Sequence, residues 1–220
     1  MVYNPGNYQK YTTKNILKKK MVDLFNNKIV SIVQDAVNGQ NQNNEEISKS
    51  SPKNNLKISI LDAGCGEGFM SGFLYEKLGD TVEITGLEYT AEALEIAKKA
   101  NPKIKYIQGD IMDMPFASDN FDIVLCTEVL EHLSDPTNAV KELERVTKGT
   151  LILSVPNEPW FCMGNLLALK NISRLGNPID HINHWTYSSF KKFLKTNSNQ
   201  NWIMDSSFPW TIAKYENSKI

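Results

Sequence analysis

The stretch Ile60-Leu61-Asp62-Ala63-Gly64-Cys65-Gly66-Glu67-Gly68 runs a short apolar segment straight into a glycine-rich turn, and Met70, Phe73, Leu74 and Leu78 follow on one helical face. A strand, a tight turn and a helix in that order are the opening unit of an α/β fold. Glycines at the turn permit positive φ and let backbone come close to a ligand. The helix that follows offers N–H groups to polar or anionic atoms. The Gly-x-Gly-x-Gly spacing of positions 64, 66 and 68 differs from the Gly-x-Gly-x-x-Gly of dinucleotide sites, so a pyrophosphate is not specifically indicated.

Outward from this turn the chain alternates β-branched runs with helical stretches, which predicts a largely parallel sheet covered on both faces. Strands fit 57–62, 82–88, 104–108, 121–126 and 150–155, and a final strand pair fits 202–206 and 211–215. Helices fit 68–78, stopped by Gly79; 91–100, capped by Thr90 and stopped at Asn101-Pro102; and 136–147, started by Asp135-Pro136 and stopped at Gly149. Two more fit 161–170 and 187–196. No internal repeat is present.

Upstream, Leu17, Met21, Leu24, Phe25, Ile29, Ile32, Val33 and Ala36 recur at helical spacing over 14–37, so one face of an N-terminal helix must bury. Residues 1–36 hold six lysines and two aspartates. A membrane-surface or acidic-partner role can be drawn from that charge, and a helix packed on the domain with its lysines in water is the preferred reading. Residues 38–55 hold six Asn, two Gln and three Ser with Ile47 as the one apolar residue, the composition of a flexible linker.

With 220 residues, the chain has the length of one large domain or of a domain with an appendage. Its 41% hydrophobic and 10% aromatic content is ample for a packed core. Lys plus Arg total 24 and Asp plus Glu 25, a net charge of −1 without the basic excess that nucleic-acid binding requires. No run approaches the ~18 apolar residues of a membrane span, and the N-terminus does not read as a signal peptide. Cys65, Cys126 and Cys162 are odd in number and widely spaced, which argues against a disulfide framework or a four-thiolate zinc site. The expectation is a cytoplasmic protein with reduced cysteines.

Glu88 stands twenty positions after Gly68 at the end of the second strand, where a carboxylate can accept both ribose hydroxyls of an adenosine. Tyr89 is placed to lie against the base. After the third strand, Asp110 can accept from an adenine amino group, with Ile111 and Met112 beside the ring. These loops converge because parallel strands present their carboxyl ends on one edge. Cys65 reads as a small residue fitted into the turn rather than a nucleophile.

Taken together, Asp62, Gly64, Gly66, Glu88 and Asp110, followed by Met114-Pro115-Phe116 and by the run from Cys126 and Thr127 through Glu128, Glu131 and His132 to Leu133, resemble the class I S-adenosylmethionine-dependent methyltransferases. The likeness spans about 57–155 and is greatest to the small-molecule group that includes quinone-biosynthesis enzymes. It implies a doubly wound, seven-stranded, mostly parallel α/β sheet, with S-adenosylmethionine as cofactor and S-adenosylhomocysteine (SAH) as product. The implied cofactor-binding residues are Asp62, Gly64, Cys65, Gly66, Glu88, Tyr89, Asp110, Ile111 and Thr127. The acceptor is expected to be a small molecule, hydrophobic or lipid-like, and not nucleic acid.

If helical, Glu128, Glu131 and His132 share a face at the mouth of the site and can hold a divalent metal, as a similar cluster does in some relatives of this family. The RNA-modifying relatives add a downstream histidine, and His181 and His184 are available. The preferred reading has the stretch only shape the cofactor pocket. His181 or His184 can also serve as a general base of near-neutral pKa oriented by Asp180, or simply fill a loop. His132, His181 and His184 are therefore the catalytic candidates.

The expected organisation is an amphipathic helix over 1–37, a linker over 38–56 and a methyltransferase domain over 57–220 with an acceptor-side insertion at 156–190. The helix would flank or lid the cleft through Tyr8, Lys10 or Tyr11. Phe161, Met163, Leu166 and Leu167 read as a core-facing helix stripe, and Trp160 and Trp185 as walls of an apolar acceptor pocket. The alternatives are a non-catalytic S-adenosylmethionine-binding module and a nucleotide-dependent oxidoreductase.

Overall fold

The computed structural model describes residues 15–48, with side chains through 40, and residues 57–217 except 168 and 170. Tyr8, Lys10 and Tyr11 lie outside the described residues. In chain order the principal elements are α1 (Ile16–Ser48), β1 (Ile58–Ala63), α2 (Phe69–Leu78), β2 (Val82–Glu88), α3 (Ala91–Ala100), β3 (Lys105–Gln108) and β4 (Phe121–Thr127). They continue as α4 (Pro136–Val146), β5 (Thr147–Pro156), α5 (Trp160–Leu167), α6 (Tyr187–Asn197), β6 (Ile203–Ser207) and β7 (Trp210–Glu216).

Seven strands form one sheet in the order β3-β2-β1-β4-β5-β7-β6. The first five are parallel to one another, and β7 runs antiparallel between β5 and β6. The chain leaves β1 toward β2 and β3 and returns to β4 on the other side. The switch point is therefore the gap beyond the carboxyl ends of β1 and β4.

Side-chain alternation splits the buried residues into two layers. Leu61 and Ala63 of β1 and Val124 and Cys126 of β4 face α4 and α6, which bring Ala139, Val140, Leu143, Phe190 and Leu194. Ile58, Ile60, Ile123 and Leu125 face the opposite side, covered by Met70 and Leu74 of α2 and by Phe25, Ile29 and Val33 of α1. Helix α1 is thus a core element. Phe25 packs at 4.7 Å on Trp210 of β7, and Lys28 pairs with Asp205 of β6 at 2.7 Å.

Several boundaries differ from the sequence reading. Helix α1 continues to Ser48, eleven residues into the segment read as linker, because Asn and Gln tolerate helix once a buried stem nucleates it. Leu17 and Leu24 are exposed, while Asn26 is buried on the packed face. Helix α4 stops at Val146, with Thr147 Oγ1 donating to Leu143 O at 2.6 Å, and β5 begins at once and runs through Gly149. The Glu128–His132 stretch is not α-helical: Glu128 has φ 61°, and only Leu130–His132 form a 3-10 turn. Glu128, Glu131 and His132 do not share a helix face.

Candidate active site

The glycine turn is built on Leu87, whose carbonyl accepts from Gly64 N (2.7 Å) and Cys65 N (3.0 Å) and so locks β1 to β2 at their ends. Gly64, Gly66 and Gly68 have φ of 79°, 53° and 77°. A Cβ at Gly64 would also sit 2.5 Å from Val129 Cγ2, so glycine is demanded there twice. Gly68 N donates to Cys65 O at 2.9 Å and Gly66 N to Glu88 Oε2 at 3.1 Å. The turn therefore spends its N–H groups at 64, 65, 66 and 68 within the protein. At its glycines it offers a ligand a bare backbone surface without side chains.

Asp62 lies beneath the turn, 1% exposed, where its carboxylate accepts from Ser71 Oγ at 2.5 Å. Burial raises its pKa to about 6 despite that bond. Through this bond Asp62 ties β1 to α2. Ser71 was not singled out from sequence; its hydroxyl one turn into the helix after an Asp-x-Gly turn is the signal that finds it.

Glu88 is half-buried at the end of β2. Its Oε1 accepts from Thr90 N at 2.9 Å and from the Thr90 hydroxyl, and its Oε2 from Gly66 N. Thr90 occupies the N-cap position of α3 but makes no side-chain cap bond; its hydroxyl serves Glu88 instead. Asp110 Oδ1 accepts from Met112 N at 2.8 Å, which fixes the carboxylate after β3, and Ile111 is buried beside it. Tyr89 is 55% exposed. Thr127 is half-buried at the end of β4, and Cys65 is buried in the turn, where desolvation, with Asp62 and Glu88 nearby, holds its thiol well above the usual range. Cys126 is buried in the core.

This arrangement fits an adenosine-bearing cofactor. Two immobilised carboxylates, Glu88 and Asp110, flank a turn without side chains at the switch point, and each keeps acceptor capacity beyond its internal bonds.

On the far side of the same edge all three histidines converge. His132 and His181 rings meet edge to face at 4.9 Å, and His181 lies 6.5 Å from His184. His132 Nδ1 contacts Asp180 O at 2.9 Å, with the Asp180 carboxylate at 3.7 Å, so Asp180 orients His132. Burial, reinforced by His132, lowers the His181 pKa to about 4, which replaces the near-neutral value expected of it. Glu131, His132 and His181 place ligand atoms within 4.8 Å of one another, as do Glu158, His181 and His184. Glu158 was not singled out from sequence, and Glu128 belongs to neither group.

The apolar residues of the insertion fall differently from expectation. Trp185 is core, packed on Phe190 (5.5 Å) and Phe193 (5.4 Å). Helix α5 buries none of its residues, and Met163 and Leu167 face solvent with Trp160, Ile179, Ile182 and Phe208.

Residues 61–153 match the family described as a methyltransferase domain. That segment carries the glycine turn, Glu88, Asp110 and the whole switch point. Over that segment the chain is similar to methyltransferase domains.

The chain is similar to demethylmenaquinone methyltransferases. That from Staphylococcus aureus strain MRSA252 is 28% identical over 159 residues, covering 69% of this chain and 61% of the relative. That from Lactococcus lactis is 35% identical over 125 residues, covering 52% and 50%. The chain therefore spans between half and two thirds of the length of these curated relatives.

Among solved structures, the YcgJ protein of Bacillus subtilis is 25% identical with a TM-score of 0.54, over 68% of this chain and 64% of that one. The magnesium protoporphyrin IX methyltransferase of Synechocystis, solved with bound SAH, shares the fold at 19% identity and a TM-score of 0.63, over 96% and 92%. Among the described residues no helix is long and apolar enough to cross a membrane.

Proposed function

We propose that the domain transfers a methyl group from S-adenosylmethionine to a small, largely apolar acceptor. The observation that carries this reading is the bare glycine turn flanked by the immobilised carboxylates of Glu88 and Asp110 at the switch point. Glu88 would hold the ribose hydroxyls and Asp110 the adenine edge, with Ile111 against the ring and Gly64 to Gly66 lying under the methionine end. The cofactor supplies an electrophilic methyl carbon on a sulfonium.

Methyl transfer to a prepared nucleophile needs chiefly alignment and dryness, which the protein supplies by fixing its loops. His132 is the best-oriented base: its Nδ1 faces the Asp180 carbonyl, which leaves Nε2 to take a proton from an acceptor hydroxyl or carbon acid. The exposed apolar side chains of Trp160, Met163, Ile179, Ile182 and Phe208 suit an apolar acceptor, in keeping with relatives named for demethylmenaquinone. The three free cysteines support a cytoplasmic location.

The test is transfer of labelled methyl to a panel of quinols, phenols and polar amines. Labelling of apolar hydroxyl or ring-carbon acceptors, reduced at least ~10-fold in His132→Ala, supports the reading. Cofactor binding without transfer to any acceptor would favour the non-catalytic module.

A further inference from the structure

We propose that Asn138, Glu142 and Arg145 of α4 are positioning residues that set the adenine preference of the cofactor site by holding the Asp110 loop from behind. Their i, i+4, i+7 spacing puts the three on one face of the helix. Ala139, Val140, Leu143 and Val146 fill the core side of α4, and the polar face turns to the loop.

That face is spent on the backbone of residues 112–116. Asn138 Nδ2 donates to Met112 O at 2.8 Å, Arg145 Nη2 to Met114 O at 3.1 Å and Arg145 Nη1 to Phe116 O at 2.6 Å. Met114 N in turn donates to Glu142 Oε2 at 3.0 Å. The guanidinium is itself fixed by Glu142, which accepts from Nε at 2.7 Å and from Nη2 at 2.8 Å. A planar fork that serves a carboxylate and two carbonyls at once is arginine chemistry that lysine does not reproduce. The Arg145 bonds hold the Glu142 carboxyl below its usual range, so the pair stays ionised at neutral pH.

The loop needs an outside support. It leaves β3, an edge strand, and no strand or helix forms before β4; the Asp110–Asp113 bridge is its own pairing. Asp110 Oδ1 accepts from Met112 N at 2.8 Å, so the carboxylate takes its place from the residue whose carbonyl Asn138 grips. Three carbonyls and one N–H anchored to a packed helix fix that place. A misplacement of about 1 Å is enough to lose a directional contact to a ligand.

This role rests on the reading of Asp110 as the adenine contact, and one pair of ligands separates the two. Calorimetry on the full-length protein compares SAH with S-inosylhomocysteine, in which an oxo group replaces the exocyclic amino group and Asp110 has nothing to accept from. The wild type should prefer SAH at least ~10-fold, the worth of one hydrogen bond to a charged group. Arg145→Lys, which keeps the charge without the fork, and Asn138→Ala should bring the preference to within ~3-fold by weakening SAH alone. A merely structural role would weaken both ligands alike.

Asn138 is exposed, so its variant keeps the fold, and melting temperature checks each protein. Equal loss of both ligands, or a preference undiminished in both variants, overturns the proposal and leaves the cofactor site standing. A wild type that binds SAH without preferring it to S-inosylhomocysteine overturns the Asp110 contact and this role with it. A folded wild type that binds neither defeats the methyltransferase reading and this role together.

Discussion

Glu88 joins the glycine turn to the start of α3 by accepting from Gly66 on one oxygen and Thr90 on the other. Glu88→Gln keeps the size but loses the charge and one acceptor. A charge-assisted hydrogen bond contributes about 1.5–3 kcal/mol, so SAH affinity should fall at least ~10-fold in an otherwise folded protein.

Asp62 and His181 give opposite pH signatures. The Asp62 pKa rises on folding to about 6, so its contribution is fully present below the unfolded value near 3.8 and is lost as pH rises through about 6. For His181 the pKa falls on folding from 6.5 to about 4; that contribution is full above 6.5 and is lost as pH falls toward 4. Denaturant melts between pH 4 and 7 should therefore show Asp62→Asn losing the rise in stability on acidification, and His181→Asn losing the fall. Unchanged pH slopes in both variants would contradict these assignments.

At the scale of elements, the turn and α1 carry the sharpest tests. Gly64→Ala meets both a φ of 79° and the Val129 side chain, and should cost about 1–3 kcal/mol and weaken SAH binding. Adding Val129→Ala should recover the steric part and leave the backbone part, a partial rescue that SAH titration and melting can both read. Phe25→Ala removes a fully buried ring packed at a tilt against Trp210 and should destabilise by about 3–5 kcal/mol, measured by chemical denaturation.

Element identity was legible in the sequence wherever periodicity or punctuation was strong. Strand β2 and helix α3 fall at the predicted residues, and Asp135 caps α4 by accepting from Asn138 N at 3.0 Å. It was illegible where tertiary packing decides. The polar end of α1 carries no apolar signal, and Glu128 adopts a positive φ that no side-chain pattern announces. Helix α5 is exposed because none of the described residues forms an element over it. The cofactor side was readable because Glu88 and Asp110 end consecutive strands. The histidine cluster was readable only in part, since Glu158 meets His181 through the closure of a loop.

For the whole molecule, the sheet needs both of its layers. The strand order places β1 and β4 at the centre, and α1 with α2 covers the face holding Ile60, Ile123 and Ile152. Removing residues 1–56 would bare that face, and an exposed apolar layer of this kind drives aggregation. The shortened chain should be insoluble or molten. A soluble, cooperatively melting 57–220 fragment would show instead that α1 is an accessory.

The most direct measurement is a calorimetric titration of the full chain with SAH, which needs no acceptor, repeated on Glu88→Ala. The account predicts one micromolar site per chain in the wild type and its loss in a variant that still melts cooperatively. A well-folded wild-type protein that binds no SAH, or a Glu88→Ala variant that binds it undiminished, would contradict the assignment of the switch point as the cofactor site.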